Sequence, residues 1–440
     1  MTQLPNRDKA PVQARVVRSN LKRRLLTFLM VMGPGLIVMV ADNDAGAVST
    51  YTEAGFRYGD KLLWILVLLL PMTYFIQEMV ARLGIATGLG FAAMIYKRFG
   101  KWWGIYSLVD LQLVNFLTLV TEFAAINLAA SMMGISPYLA VPLTVIGLIM
   151  MVITASYRRW ERAAIFLCAL DVAWLVFAIL LGPRLGVVLH HTFVPSLPAR
   201  GITSNYIFLV IAIVGTTIAP WQLFFQQSCV ADKRLRFSDL KWERLDTFFG
   251  ALVVIGMAGC MMLVGSAAAH HGLAAFLGKK DYDPALMAAF LGLKFGPVMK
   301  YGILLLMVNA AVLGATTISL SSAWAYGEVK GWPSSLELGI KEAPGFYGSY
   351  IIAVACAAGL VLIPKAPLEL IILGVQVLAG IMLPSAIIFL QLLMNDRELL
   401  GDEFINKPWN NWVNWICIIL LFALSLILAV QVILPNLFPK

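Results

Sequence analysis

Eleven long apolar runs, separated by short charged clusters, set the pattern of this chain. They are Leu25 to Gly55, Leu62 to Ala86, Ile105 to Met133, Pro137 to Ala155, Ala163 to Gly182 and Tyr206 to Val230. Thr247 to Ala269, Val298 to Tyr326, Tyr347 to Ile363, Leu368 to Met394 and Trp412 to Leu434 complete the set. A helix needs about 20 apolar residues to cross the hydrocarbon core, so each run predicts a transmembrane helix. Segments of about ten residues alternating apolar and polar, the mark of a transmembrane barrel, are absent. The pattern predicts an all-α membrane protein of eleven spans.

Two runs are interrupted where a lipid-facing helix tolerates nothing polar. The first carries Ala41-Asp42-Asn43-Asp44-Ala45-Gly46-Ala47, and the sixth carries Gly215-Thr216-Thr217-Ile218-Ala219-Pro220-Trp221-Gln222. Proline removes an intrahelical hydrogen bond and glycine eases unwinding. Non-helical backbone survives at membrane depth only inside protein or beside a wet cavity, so both spans are expected to be broken and to share one site. The breaks open two successive five-span blocks, as in inverted-repeat transporters with discontinuous helices. The rival reading is two ordinary kinks. The expected divisions are a basic N-terminus (1–24), a first repeat (25–182), an extracellular loop (183–205), a second, inverted repeat (206–394), a cytoplasmic loop (395–411) and an eleventh span with an outer C-terminus (412–440).

Composition sharpens this. Of 440 residues, 60% are hydrophobic and 13% charged, against about 25% charged in soluble domains. The mean hydropathy is +0.84. A water-soluble fold is excluded. The net charge of +9 reads through loop asymmetry and not as a nucleic-acid footprint. With the N-terminus inside, inner segments hold 23 of the 33 Lys and Arg, and Lys440 falls outside. A multi-pass protein of a plasma membrane, the prokaryotic inner membrane for choice, is expected. Five cysteines without a C-x-x-C pair indicate neither a disulfide framework nor a thiolate metal site. No cleaved presequence, resident cofactor or obligate protein partner is expected; the bilayer is the one constant partner.

Asp44 is the sharpest candidate. A carboxylate in mid-span costs at least about 2.5–3.5 kcal/mol, and a divalent cation would supply its partner. Unwound backbone at Ala41 and Thr216 would offer carbonyl oxygens to a hard cation. Asp42 and Asn43 line the vestibule or cap a half-helix, and Thr217 lies beside the second break. Glu122, in Thr118-Leu119-Val120-Thr121-Glu122, lines a permeation path or anchors helices. Glu78 and Arg82 are spaced for an i,i+4 ion pair near the inner face. Asp110 lies near a helix end, and Asp171 has Asn309 as one available partner. All four histidines fall at outer ends or loops, which removes an intramembrane histidine relay. No hydrolase, kinase or zinc-protease motif is present, so an enzyme is not expected.

At its two interruptions the chain resembles the Nramp family of divalent-metal transporters. Gly33-Pro34-Gly35, then Ala41-x-x-Asp44-x-Gly46, resemble the start of that family's first span. Leu62-Leu63-Trp64, Gln77 and Arg82-Leu83-Gly84 continue the likeness. Thr121-Glu122 follow in the third span, Gly215 to Ser228 in the sixth, and Gln376 with Leu383-Pro384 in the tenth. The likeness runs over roughly residues 28 to 395. It implies a LeuT-type fold, with spans one to five and six to ten as inverted repeats and a metal held between unwound spans one and six.

The departures carry more information. The family's first-span Asp-Pro-Gly-Asn reads Asp44-Ala45-Gly46-Ala47, so an amide ligand is lost at Ala47. Its Met-Pro-His-Asn reads Ala219-Pro220-Trp221-Gln222, so a thioether is lost at Ala219. The two sixth-span histidines become Trp221 and Gln226, and a third-span aspartate becomes Leu119. This resembles the Nramp-related magnesium transporters, which implies Mg²⁺ and Mn²⁺ moving by alternating access, as a uniporter without coupled protons. The chemistry agrees: sulfur favours softer metals, and Mg²⁺ keeps several waters beside one or two carboxylates. Gln222 and Gln376, if they face the pocket, bind those waters. The alternatives are a proton-coupled Mn²⁺/Fe²⁺ transporter and an amino-acid or organic-solute carrier of the same fold. Asp44 would repel the carboxylate of an amino acid.

Overall fold

The computed structural model describes residues 28, 30–198, 201, 203–363 and 368–433. The basic N-terminus, with Lys22-Arg23-Arg24, and the end at Lys440 lie outside the described residues. Every regular element among the described residues is helical.

The first span is two helices, α1 (Pro34–Ala41) and α2 (Ala45–Tyr58). Pro34 starts α1 at the position where its missing N–H costs nothing, and Asp44 caps α2. Then come α3 (Leu63–Thr87), the short α4 (Phe91–Phe99), α5 (Lys101–Met133) and α6 (Pro137–Val152). The fifth span is also divided, into α7 (Tyr157–Asp171) and α8 (Ala173–Leu180), although the sequence announces no break there. Asn309 Nδ2 donates to Asp171 Oδ1 at 2.9 Å and to the Leu167 carbonyl at 3.0 Å. The interruption itself is a single turn residue, Val172, at φ −58° and ψ −19°. The expected loop 183–205 contains a further helix, α9 (Leu185–Phe193).

The sixth span repeats the first: α10 (Ser204–Thr217) and α11 (Pro220–Asp232) are separate helices. The rest are α12 (Leu240–His270), α13 (Leu273–Leu277), α14 (Pro284–Phe295), α15 (Pro297–Lys330), α16 (Pro344–Val361), α17 (Leu368–Leu393), α18 (Arg397–Phe404) and α19 (Pro408–Ile433). Nine helical stretches among the described residues are long and apolar enough to cross a membrane. The two-part first span and the shorter α6 complete the eleven expected runs.

The broken spans lie at the centre. Helix α12 runs along both halves of the first span and along α3, α17 packs on α10, and α15 lies against α5. The α2–α12 crossing is a glycine seam. A side chain at Gly55 would overlap the Met262 carbonyl, and one at Gly265 would overlap that of Thr52. Small residues at such crossings let backbones touch where no hydrophobic effect drives helices together. The periphery is apolar and exposed, with Leu143, Ile146 and Met150 on α6 and Ile416, Ile419 and Leu426 on α19. That surface suits acyl chains. Charge gathers at one end, where Arg82 pairs with Glu78 at 3.1 Å as its spacing predicts. Arg244 joins the same carboxylate at 2.8 Å.

Candidate functional site

Both interruptions free backbone carbonyls, each by different means. In the first, the Ala45 N–H donates to Glu122 Oε2 at 3.1 Å, and the Ala47 N–H donates to Asp44 Oδ1 at 2.9 Å. A continuous helix would direct those donors to the carbonyls of Ala41 and Asn43. In the second, Ile218 and Ala219 are extended, at φ −136°, ψ 93° and φ −98°, ψ 147°. Pro220 has no N–H for the Thr216 carbonyl. The Ala219 N–H is taken by Gln222 Oε1 at 3.2 Å. The carbonyls of Ala41 and Thr216 are therefore freed from helical bonding, as the sequence suggested.

Neighbouring helices draw the two breaks into one site. The Thr217 hydroxyl donates to the Ile213 carbonyl at 2.6 Å, so the Tyr51 hydroxyl, 2.6 Å away, donates to Thr217 and ties α2 to α10. A Cβ at Gly314 on α15 would lie 2.9 Å from both Asp44 Cβ and the Glu122 carboxyl carbon. That bare backbone lets the two carboxyl-bearing side chains lie side by side against α15. Two buried carboxyls set so close favour sharing a proton or a cation over both standing ionised alone. On the other side, Gln376 of α17 lies directly over Gly46, where a side chain would collide with its amide.

Every residue that the sequence assigned to the ion site or its path is buried: Ala41, Asp42, Asn43, Asp44, Ala47, Glu122, Thr216, Thr217, Ala219, Gln222 and Gln376 are each at most 5% exposed. They do not all face the same space. Asn43 turns its amide to the Val254 carbonyl on α12, at 3.3 Å. Gln222 commits its carbonyl oxygen to the Ala219 N–H and to Gln77 Nε2 at 3.1 Å, which makes it a cap for α11 and a strut to α3. Only its NH₂ remains unbonded. Ala47 and Ala219 bring methyl groups and no donor.

Buried polar atoms are almost always hydrogen-bonded, yet unpartnered ones gather here. They include both carboxylate oxygens of Asp42, Glu122 Oε1, Thr216 Oγ1 and Gln376 Nε2. The oxygens among them are acceptors, and waters bound to a cation donate outward. The arrangement can hold a cation through Asp44 and backbone oxygens while its waters bond to the rim.

Two contributors escaped the sequence reading. Tyr51 stands two helical turns after Asp44, a spacing that could have flagged it. Gly314 sits within an unremarked Leu-Gly-Ala stretch of the eighth span, and nothing in one sequence marks it as the wall behind Asp44.

Known proteins bear on these features. The family model described as natural resistance-associated macrophage protein-like (Nramp) matches residues 35–431. The divalent metal cation transporter MntH of Latilactobacillus sakei subsp. sakei (strain 23K) is 25% identical over 430 residues, covering 92% of this chain and 90% of that protein. Among solved structures, the Eremococcus coleocola manganese transporter in complex with an aromatic bis-isothiourea substituted compound superposes with a TM-score of 0.75 at 20% identity, covering 94% of this chain and 89% of that one. A mutant of the same transporter, with one histidine replaced by alanine, gives a TM-score of 0.74 at 21% identity, with 93% and 88% covered. At such identity the structures share the fold, which is the LeuT-type arrangement.

Proposed function

The chain belongs to the Nramp family of membrane transporters, and from that premise we propose that it carries Mg²⁺, with Mn²⁺ as a second substrate, without coupled protons. Asp44 holds the ion directly, and the carbonyls of Ala41 and Thr216 complete the protein's share of the inner shell. The waters that the ion retains donate to Asp42, Glu122 and the Thr216 hydroxyl, while Ala47 and Ala219 leave the volume those waters need. Gln376 closes the site from the α17 side, Gln222 and Thr217 fix the backbone of the second break, and Asn43 anchors the first to α12. The observation that carries this reading is the group of unpartnered acceptor oxygens around one carboxylate. Such a rim suits a hard ion that sheds water reluctantly. The proposed setting is a prokaryotic plasma membrane with the N-terminus inside, on the Lys and Arg asymmetry.

A second reading has its own support. The relatives above are named as divalent metal cation and manganese transporters, and the adjoining Asp44 and Glu122 side chains offer a place for a proton that leaves as metal enters. Proteoliposomes loaded with a pH reporter separate the two. Uncoupled transport gives Mg²⁺ and Mn²⁺ uptake that rises with inside-negative potential, at about 2.3 kcal/mol per charge per 100 mV, and leaves internal pH unchanged. Metal-dependent acidification together with exclusion of Mg²⁺ would establish the proton-coupled manganese reading instead.

A further inference from the structure

Below the central site a second group of oxygens is built into the protein. Gln226 follows Gln222 by four residues on α11, so it lies one turn further along the same helix face, towards the end that carries Lys233. Its Nε2 donates to Glu243 Oε1 at 3.3 Å and to Thr247 Oγ1 at 3.0 Å. Glu243, Asp246 and Thr247 are spaced i, i+3, i+4 and present one face of α12. All four residues are at most 1% exposed. Their arrangement leaves three oxygens without a hydrogen-bond partner: Gln226 Oε1, Glu243 Oε2 and Asp246 Oδ1. Since the Gln226 amide points its nitrogen at Glu243 and Thr247, the atom left over is the carbonyl acceptor.

The charges are as unbalanced as the hydrogen bonds. Asp246 Oδ2 accepts from the N–H groups of Gly33, Gly35 and Leu36, at 3.0, 2.8 and 3.2 Å, and so caps α1. Its second oxygen is not used there. Lys233 is the nearby ammonium, but it is bonded to Glu161 at 2.6 Å and to the carbonyls of Val31 and Met32. Two buried carboxyl groups thus stand beside each other, and among the described residues no cation bonds to either, a costly arrangement if both are ionised. Carboxylate, amide-carbonyl and hydroxyl oxygens are the donor types a hard divalent ion selects.

We propose that Gln226, Glu243, Asp246 and Thr247 form a second divalent-cation site, an inner station that receives the ion after it leaves Asp44. It rests on the proposed function, because it needs a cation delivered through the central site. The order of the two sites follows from the Gln222–Gln226 step along α11. One ion at a time on the pair of carboxylates offsets their repulsion, and release opens when α1 and its Asp246 cap move apart.

Counting Mn²⁺ bound to the purified full-length protein, by the electron paramagnetic resonance signal of the free ion, tests this. The wild type should bind two ions per chain. Glu243→Gln should bind one, with the constant of the remaining ion within about twofold of its wild-type value. Asp44→Ala should lose the other. Thr247→Val removes one neutral oxygen and no charge, and should weaken only the second ion, by roughly fivefold; it carries the test if Glu243→Gln does not fold. Equal counts and constants in the wild type, Glu243→Gln and Thr247→Val, with Asp44→Ala still losing an ion, would overturn the inner station and leave the central site standing. A wild type that binds no divalent ion would overturn both.

Discussion

The two interruptions look alike in outline and are built from opposite chemistry. The first has two aspartates within three residues, and its backbone is held open by carboxylates, Glu122 on Ala45 and Asp44 on Ala47. The second has no charged residue from Gly215 to Ser228. It is held open by a missing donor at Pro220 and by the neutral cap Gln222. Unwinding a helix is therefore separable from binding an ion. On the proposed function, the second break would supply shape and carbonyl oxygens, and the first the charge.

Substitutions on each side should break that symmetry in order of size. Asp44→Ala removes the proposed charged ligand and should reduce Mg²⁺ and Mn²⁺ uptake to the level of protein-free vesicles, with expression and detergent stability retained. Uptake near wild type would show that the asymmetry is not functional. Gln222→Leu removes a cap worth about 1 kcal/mol without touching charge. Its melting temperature should fall by roughly 1–3 °C and initial uptake should slow severalfold, while the relative preference for the two ions holds. A changed preference would place Gln222 among the residues that select the ion. The smallest effect is expected from Ala47→Asn with Ala219→Met, which puts one ligand at each break. Sulfur and lost volume should move the Mn²⁺-to-Mg²⁺ ratio of initial rates towards Mn²⁺ by a few fold. An unchanged ratio at normal protein levels would mean that these two methyl groups do not set selectivity.

What was legible in the sequence follows the range of the interaction. The apolar runs, the breaks at Asp44 and Pro220 and the Glu78–Arg82 pair are local, and each is written in a few consecutive residues. The Asp171–Asn309 contact joins residues far apart in the chain, and it was readable as a choice because buried polar groups seek partners. The interruption beside it at Val172 was not, since no Pro or Gly signals it. Gln222 shows another limit. Its position beside the second break was clear, but whether its carbonyl turned to an ion's waters or back to Ala219 depends on Gln77 from another helix. Gly314 and the Gln226–Glu243 contact were silent for the same reason, because helix packing alone decides what meets them.

The seam between α2 and α12 bears on how such a molecule can move. Where side chains interdigitate, helices absorb small slips by changing rotamers, and motion grades smoothly. At Gly55 and Gly265 backbone lies on backbone, and there is no rotamer to change. Within that seam, α2 and α12 have no side chains to rearrange, so a slip of one against the other has to displace backbone. Backbone-on-backbone contact of this kind favours movement of the two helices together over gradual sliding between them.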